Sequence, residues 1–314
     1  MPVTLDPDAA AVLQAFRDAG RPPYETLTPP EARALYLRGC EVARPETPEL
    51  ASVRALDATG PNGAIPLRVY RPRTLREKDG RAACLVFYHG GGWVIGDLDS
   101  HDAVCRILAD EGQLLVIAVD YRLSPEHKFP TAVNDAIAAA QWIAANADSL
   151  GIDPKRLMVG GDSAGGNLAA VVALNARQHG PAIAGQMLIY PGTDFRMSHP
   201  SHSEPETSCL LTHSVIRWFR DQYFNTLADG EDWRASPSRV EDFKGLPPAY
   251  VLTAGADPLR DEGDEYAARL KDAGVAVTHV TYPDQFHGFI TMGKLLPKAG
   301  VALTAIAAWL RTLD

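Results

Sequence analysis

Residues 157–174 read LMVGGDSAGGNLAAVVAL, an apolar strand-like run, a turn of small residues and an apolar helix-like run. Within this stretch GDSAG (161–165) fits the pattern G-x-S-x-G. Small residues must flank a serine where the chain turns sharply from a strand into a helix, because larger side chains would clash there. At the start of the helix the amide of Ala164 is free, and the helix dipole favours negative charge nearby. The stretch therefore predicts that Ser163 is a nucleophile at a strand-to-helix turn.

Short apolar runs recur on both sides of this stretch, and helix-like segments separate them. The runs are ACLVFY (83–88), LLVIAVDY (114–121), MLIY (187–190) and AYVLTAGA (249–256). Continuous apolar runs are typical of parallel strands that are buried on both faces. Their alternation with helical patterns predicts an α/β fold, in which helices flank a mostly parallel central sheet.

A glycine triplet follows the first of these runs, in the sequence HGGGW (89–93). Glycines allow backbone amides to approach a substrate oxygen closely. Two such amides, together with the amide of Ala164, would form an oxyanion hole. A glycine triplet alone more often marks a flexible turn, but its position ahead of G-x-S-x-G favours the functional interpretation.

An acidic partner of the serine should follow it in the chain and lie in a loop after a strand. Asp257 directly follows the run 249–256, and Pro258 helps to turn the chain away from that strand. Asp261 lies one helical turn further on and is the alternative acid. An aspartate at such a position is otherwise often a helix cap or a solvated surface charge.

Among nine histidines, His287 has the position that a general base requires. It follows the strand-like stretch VTHVTYPD (277–284) and lies in FHGF, ahead of a final helix-like segment. Gly288 leaves room for the ring to turn toward the serine. A histidine between two aromatic residues is more often packed in a core, but the chain order favours the catalytic interpretation.

His199 and His202 form an H-x-x-H pair close to Glu204 and Glu206. The helical H-E-x-x-H spacing of zinc proteases is missing. We therefore expect no metal site in this segment.

Two helices and a hairpin are predicted before the first buried strand. The first helix covers about 7–19, with Asp6 as N-cap, proline in the first turn and Gly20 as a stop signal. The second begins at TPPE (28–31), which is a capping box. Alternating residues at 51–72, interrupted by a Gly-Pro-Asn-Gly turn, predict the hairpin.

A long insertion at about 195–235 predicts a helical cap. It begins with a polar stretch and continues with an amphipathic pattern, in which Leu211, Val215, Phe219 and Tyr223 are spaced four residues apart. The predicted domain organisation is N-terminal cap helices at 1–45, followed by a catalytic domain at 46–314 that contains this insertion. Aromatic and aliphatic residues of both segments could roof an apolar pocket, or could simply pack the cap; they are Leu13, Phe16, Leu35, Tyr36, Leu211, Trp218, Phe219, Tyr223 and Phe224.

The net charge of the chain indicates which kinds of binding partner are unfavourable. The chain has 314 residues, with 30 basic and 39 acidic side chains and a formal net charge of −9, so nucleic acid and anionic membranes are poor partners. Asp6 and Asp8 occupy positions where a signal peptide needs basic residues, and no stretch is apolar enough to span a membrane. We expect a soluble cytoplasmic protein without stable membrane association. Four widely spaced cysteines are expected to be reduced packing residues: Cys40, Cys84, Cys105 and Cys209.

Five motifs in this order resemble the hormone-sensitive-lipase-like family of bacterial carboxylesterases, in the α/β-hydrolase superfamily. They are HGGGW (89–93), DYRLSPEH (120–127), GDSAG (161–165), DPLRDEG (257–263) and FHGF (286–289). The resemblance implies the α/β-hydrolase fold, and a cap that the N-terminal helices build together with residues 195–235. It also implies a catalytic triad of Ser163, Asp257 and His287, and oxyanion amides from Gly91, Gly92 and Ala164.

One position departs from the family pattern. Ser124 stands in DYRLSPEH where the family more often has alanine. This position is expected to be structural, so the substitution leaves the chemistry intact. Asp120 and Arg122 of the same motif are expected to organise the loop by buried hydrogen bonds and not to touch substrate.

The implied activity is that of a serine carboxylesterase, which hydrolyses short- to medium-chain acyl esters through an acyl-enzyme intermediate and needs no metal or organic cofactor. An amidase or deacetylase would use the same triad. A non-catalytic ligand receptor on a hydrolase scaffold is the alternative from another class, although such proteins typically lack a triad member. The expected partner is a small-molecule ester, and a homodimer is left open.

Overall fold

The computed structural model describes residues 3–203 and 210–313, and over these ranges nine strands form one sheet. The strands are β1 (Ser52–Gly60), β2 (Gly63–Arg71), β3 (Glu77–Lys78), β4 (Arg81–Tyr88), β5 (Leu115–Val119), β6 (Ile152–Asp162), β7 (Gly185–Ile189), β8 (Ala249–Ala256) and β9 (Val277–Phe286). The helices are α1 (Pro7–Asp18), α2 (Pro29–Ala43), α3 (Asp102–Gly112), α4 (Thr131–Ala145), α5 (Ala147–Leu150), α6 (Ala164–His179), α7 (His213–Tyr223), α8 (Arg260–Asp272) and α9 (Pro297–Thr312).

The sheet is mostly parallel, as the apolar runs predict. Its order is β1-β2-β5-β4-β6-β7-β8-β9, and β3 pairs with β4 outside this path. All neighbours from β5 to β9 are parallel, whereas β2 is antiparallel to both β1 and β5. The predicted hairpin is confirmed, because β1 and β2 pair in register down to Gly60 and Gly63.

Alternate residues of the central strands enter two separate cores. In β4, Cys84 and Val86 pack on one face with α4, α6 and α8, whereas Leu85 and Phe87 pack on the other face with α3 and α9. Because side chains alternate across a strand, both faces must be apolar, and the sequence of such a strand is a continuous apolar run. Because neighbouring strands from β5 to β9 are parallel, their carboxyl ends lie at the same edge of the sheet. Ligand sites of open α/β sheets lie at this edge.

The N-terminus of α1 contacts β9 and α9. Asp6 caps α1 by accepting a hydrogen bond from the amide of Ala9 (2.7 Å), as predicted. The same carboxylate accepts a hydrogen bond from the side chain of Gln285 (2.7 Å) and pairs with Lys298 (3.1 Å). Val12 and Leu13 of α1 pack into the core that contains α9. The N-terminal segment is thus fastened beside β9.

The second helix and the insertion form a small apolar cluster above the sheet. The capping box of α2 is confirmed, because the Thr28 amide donates to Glu31 (2.9 Å). Ala32 of α2 packs with Val215 and Phe219 of α7, the helix predicted for the insertion. The domain boundaries at 45 and 195–235 stay a prediction.

Among the described residues, no helix is long and apolar enough to cross a membrane. Cys40, Cys84 and Cys105 are buried and carry free thiols, and Cys209 lies outside the described residues.

Candidate active site

Ser163 lies at the turn between β6 and α6, where its backbone has φ 55° and ψ −117°. A non-glycine residue at positive φ is strained, so its surroundings must hold it. A Cβ atom at Gly161 would lie 2.2 Å from the carbonyl oxygen of Tyr88, and one at Gly165 would lie 1.9 Å from the same atom. The tight turn therefore requires glycine on both sides of the serine, which is the physical basis of the G-x-S-x-G pattern here.

His287 connects the serine to an aspartate. Its Nε2 atom lies 2.8 Å from Oγ of Ser163, and its Nδ1 atom lies 2.7 Å from Oδ2 of Asp257. The Asp257 side chain is fully buried, and its other oxygen accepts a hydrogen bond from the Leu259 amide (2.8 Å). A carboxylate only accepts hydrogen bonds, so Nδ1 carries the proton and Nε2 is left to accept the serine proton.

Asp261, the alternative acid, has other partners. Its carboxylate accepts hydrogen bonds from the Ser201 amide (2.8 Å) and from Nε of Arg260 (2.8 Å). Burial opposes its charged form, but the hydrogen bonds from Arg260 and Ser201 outweigh burial and hold the pKa of Asp261 below its ordinary value. The structure thus places Asp257, and not Asp261, against His287.

The glycine loop (residues 89–96) faces the serine. Gly91 and Gly92 have φ values of 121° and 58°, a region that favours glycine. The Gly91 carbonyl accepts hydrogen bonds from the amides of Val94 (3.0 Å) and Ile95 (2.9 Å), which close this turn. Within the described residues, the N–H groups of Gly91, Gly92 and Ala164 have no hydrogen-bond acceptor, and all three residues line the cavity that contains Ser163. Three free amide donors beside a candidate nucleophile have the composition of an oxyanion site.

Comparison with families of known proteins matches residues 85–291 to a family with the alpha/beta hydrolase fold. The chain belongs to this α/β-hydrolase family. It is 42% identical to the carboxylic ester hydrolase LipN of Mycobacterium tuberculosis over 93% of this chain and 78% of the relative. It is 39% identical to an ethyl acetate hydrolase of Pseudomonas putida, over 97% of this chain and 98% of the relative.

Solved structures agree with this assignment. An ester hydrolase from the metagenome of Lake Arreo, complexed with a bipyridine phosphonate derivative, superposes with a TM-score of 0.94 at 42% identity, covering 98% of this chain and 99% of that chain. A hyperthermophilic esterase from Pyrobaculum calidifontis superposes with a TM-score of 0.91 at 39% identity, covering 99% of both chains. The fold expected from the motifs is therefore confirmed.

In this α/β hydrolase a buried carboxylate forms a hydrogen bond with the backbone of the glycine loop. Asp162 accepts a hydrogen bond from the Gly90 amide (2.9 Å), and Nε2 of His101 lies 3.1 Å from the same carboxylate oxygen. Burial opposes its charge, but His101, His89 and the Gly90 amide together outweigh burial and keep the pKa of Asp162 below its ordinary value. Sequence reasoning missed this pair. The available signal was an acidic residue inside a turn that otherwise consists of small residues.

His89, at the start of the glycine loop, is a packed residue. Its ring stacks on Tyr121 with centroids 4.3 Å apart, and its Nδ1 lies 2.8 Å from the Gly90 carbonyl oxygen. Burial lowers the pKa of His89 to about 4. His89 is therefore neutral at physiological pH, and it contributes to the shape of the loop.

The loop at 120–127 lies beside the glycine loop. Arg122 donates two hydrogen bonds to the buried carboxylate of Asp135 (2.8 and 2.6 Å), as expected for a residue that organises the loop. The same expectation is wrong for Asp120, whose carboxylate accepts no hydrogen bond from the described residues. The Ser124 amide donates to the Trp93 carbonyl (2.8 Å), and its hydroxyl donates to a backbone carbonyl within the loop.

The cavity above Ser163 has a volume of about 520 Å³. Six of the nine residues that the sequence suggests as a roof line it: Leu13, Phe16, Leu35, Tyr36, Leu211 and Phe219. Tyr223 instead stacks on Trp93, with centroids 4.4 Å apart, and Phe224 packs on Phe195. The cavity is thus roofed by α1, α2 and the segment around α7.

A polar patch interrupts the apolar wall. His202 Nε2 lies 3.0 Å from the buried carboxylate of Glu262, and both residues line the cavity. Burial raises the pKa of Glu262, whose other carboxylate oxygen accepts hydrogen bonds from the amides of Thr193 and Asp194, just before the insertion. His199 lies 3.6 Å from Glu265, whereas Glu204 and Glu206 are outside the described residues. Within the described ranges, no group of three or more histidine, cysteine, aspartate or glutamate side chains is arranged so that it could hold a metal ion.

Proposed function

We propose that this α/β hydrolase is a serine carboxylesterase that cleaves short- to medium-chain acyl esters through an acyl-enzyme intermediate. The supporting observation is the linear contact from Ser163 through His287 to Asp257, with distances of 2.8 and 2.7 Å, at the base of a mainly apolar cavity. The relatives named above as ester hydrolases support the same conclusion.

The first half-reaction follows from this geometry. Nε2 of His287 accepts the proton of Ser163 as its oxygen attacks the ester carbonyl. The amides of Gly91, Gly92 and Ala164 stabilise the negative charge on the carbonyl oxygen, where loss of one donor typically costs about 10²–10³ in rate. His287 then donates its proton to the leaving alcohol, and an acyl-enzyme remains.

Water completes the cycle. His287 takes a proton from water, which attacks the acyl carbonyl, and the same amides stabilise the second tetrahedral intermediate. Asp257 holds the imidazole in the productive tautomer and stabilises the imidazolium that forms in each half-reaction. The intermediate then collapses: the bond from the acyl carbon to Oγ of Ser163 breaks, His287 returns its proton to Oγ, and the carboxylic acid is released.

We infer that small esters are the preferred substrates. One relative is named as a hydrolase of ethyl acetate, a two-carbon acyl ester. In this chain the roof consists of helices that pack on the glycine loop, so acyl chains gain free energy only until the bounded pocket is full.

Replacement of the nucleophile tests the proposal. Ser163→Ala should fold normally and retain less than about a hundredth of wild-type kcat, because the attacking oxygen is gone. A fluorophosphonate should label the wild type and not the variant, whereas Ser149→Ala, at an exposed serine, should behave as wild type. Full activity in Ser163→Ala, or labelling at another residue, would contradict the proposal. A comparison of matched ester and anilide substrates separates an esterase from an amidase.

Location and partners are part of the same proposal. We infer that the protein acts in the cytoplasm on small-molecule esters, and that it binds neither nucleic acid nor membranes stably. The free thiols of Cys40, Cys84 and Cys105 suit a reducing compartment. The oligomeric state is not assigned, and the sedimentation velocity of the purified protein would distinguish a monomer from a homodimer.

A further inference from the structure

Arg33 belongs to the cap helix α2, but its side chain reaches into the loops that surround the active site. Its Nε donates to the Val94 carbonyl (2.8 Å), and Nη2 donates to the Ser124 carbonyl (2.8 Å). Nη1 and Nη2 also donate to the two oxygens of Glu126 (2.8 and 2.6 Å). A guanidinium has five N–H donors in a rigid planar fork, and this one makes four hydrogen bonds to groups at least 61 positions away in the chain.

The Val94 carbonyl belongs to the turn that orients the candidate oxyanion amides. The Val94 amide donates to the Gly91 carbonyl (3.0 Å), so both polar groups of this peptide segment have fixed partners. Val94 itself is fully buried and packs against the cluster formed by α2 and α7. A shift of the Val94 carbonyl therefore moves the turn in which Gly91 and Gly92 present their N–H groups.

Ser124 closes a ring of hydrogen bonds. Its amide donates to the Trp93 carbonyl (2.8 Å), and its own carbonyl accepts Nη2 of Arg33. Trp93 and Val94 are consecutive residues of the glycine loop. Arg33 thus holds the glycine loop directly through one carbonyl and indirectly through the neighbouring loop.

Glu126 sets the orientation of the guanidinium. The hydrogen bonds from Arg33 lower the pKa of Glu126 to about 2, so this carboxylate is charged over the whole working range of an esterase. The Arg33 and Glu126 side chains are 29% and 50% exposed, and ion pairs this exposed contribute little to stability. The bidentate geometry instead defines a direction, because only one placement of the planar fork satisfies Glu126 and both carbonyls.

We propose that Arg33 is a positioning residue for the oxyanion amides, through which helix α2 sets the glycine loop in its catalytic conformation. The inference rests on the proposed esterase function. It predicts that Arg33 affects the transition state much more than the bound substrate, although it touches neither.

Three variants test this. Arg33→Met keeps the length of the side chain and removes every donor, and Arg33→Lys keeps the charge but not the planar fork. Arg38→Ala is the matched control, because Arg38 is an exposed arginine of the same helix with no described partner. For each protein we would measure kcat and KM on p-nitrophenyl butyrate, the midpoint of thermal unfolding, and the Ki of an alkyl trifluoromethyl ketone.

The ketone reports directly on the oxyanion site. Oγ of Ser163 adds to its carbonyl carbon, the serine proton moves to His287, and the carbonyl electron pair becomes an oxyanion that the amides bind. For Arg33→Met we expect kcat to fall by about 10- to 100-fold with KM changed less than about threefold, and Ki to rise in proportion to the loss in kcat/KM. Arg33→Lys should show nearly the same changes in kcat and Ki as Arg33→Met, and Arg38→Ala should match the wild type.

Each other outcome overturns the inference or the function beneath it. An Arg33→Met protein with wild-type kcat and Ki but a lower unfolding midpoint would show that Arg33 only anchors α2. If that variant does not fold, Glu126→Ala decides, because it removes the two contacts that orient the fork. A threefold or larger fall in kcat, with a matching rise in Ki, supports the inference, and wild-type values overturn it. A wild type without esterase activity would instead overturn the proposed function.

Discussion

Asp257 and Asp261 are one helical turn apart, but their carboxylates face different partners. Asp257 lies 2.7 Å from His287, whereas Asp261 is engaged by Ser201 and Arg260. Asp257→Asn should lower kcat by about 10³–10⁴, because an amide that donates to Nδ1 stabilises the wrong tautomer. Asp261→Asn is the matched control and should cost far less. Steady-state kinetics on one soluble ester compares them, and equal losses would transfer the role to Asp261.

His89 links stability to pH. Burial lowers its pKa in the folded protein to about 4, whereas an unfolded histidine titrates near 6.5. Between these values the unfolded state binds a proton that the folded state does not, so the free energy of unfolding falls as pH falls from about 6.5 to 4, by up to about 3 kcal/mol.

Urea unfolding at a series of pH values measures this linkage. His89→Asn should show a shallower decrease in the free energy of unfolding over the same window. His179→Asn, at an exposed histidine, should keep the wild-type pH dependence. The same slope in the wild type and His89→Asn would show that the proton is bound elsewhere.

The residues around Ser163 differ in how far the sequence could predict them. Ser163, Asp257 and His287 each follow a strand at a motif, and parallel strand ends meet at one edge, so chain order alone places them near each other. Asp162 and Arg33 act through partners many residues away. No local pattern encodes such a contact, and only the packed structure reveals it.

At the scale of elements, α7 brings Phe219 onto the glycine loop. A Cβ atom at Gly92 would lie 2.3 Å from Cγ of Phe219, so the ring forms part of the cavity wall beside a candidate oxyanion amide. Phe219→Ala should open this wall and shift the preferred acyl chain to greater length, while lowering the unfolding midpoint through the lost burial.

Rates on a series of p-nitrophenyl esters measure the shift. Trp218→Ala is the control from the neighbouring aromatic residue, which does not line the cavity, and it should leave the preferred length unchanged. An unchanged chain-length profile in Phe219→Ala would mean that the acyl chain lies elsewhere in the cavity.

The local sequence pattern predicts whether a segment forms a strand or a helix better than it predicts what the side chains of that segment contact. The apolar runs become β4 to β8, and the strand-like stretch 277–284 becomes β9, most of whose residues are half-buried or exposed. The four-residue spacing of Leu211, Val215, Phe219 and Tyr223 predicts α7. The same spacing does not show that Phe219 borders the cavity while Tyr223 packs on Trp93. That difference depends on how the helix lies against the glycine loop, which is a property of tertiary packing.

At the scale of the whole molecule, the roof joins the first helices of the chain to an insertion in its middle. Such a roof bounds the pocket, so each methylene contributes about 0.8 kcal/mol only until the cavity of about 520 Å³ is filled. We expect kcat/KM for p-nitrophenyl esters to peak at about four to eight acyl carbons and to decline by about twelve, once crowding begins. The full series should be measured below and above the micellar threshold. A rate that rises past twelve carbons, or jumps at that threshold, would indicate a lipase.

The contacts of Asp6 also determine when a newly synthesised chain becomes an enzyme. Gln285 and Lys298 must have left the ribosome before Asp6 can bind them, and the apolar residues of α1 have no complete surface to cover until α9 has folded. Although domains usually fold from the N-terminus during translation, we expect α1 to dock only after β9 and α9 have been synthesised. Leu13 and Phe16 of α1 line the cavity, so we expect this part of its wall to be completed only after His287 has been synthesised.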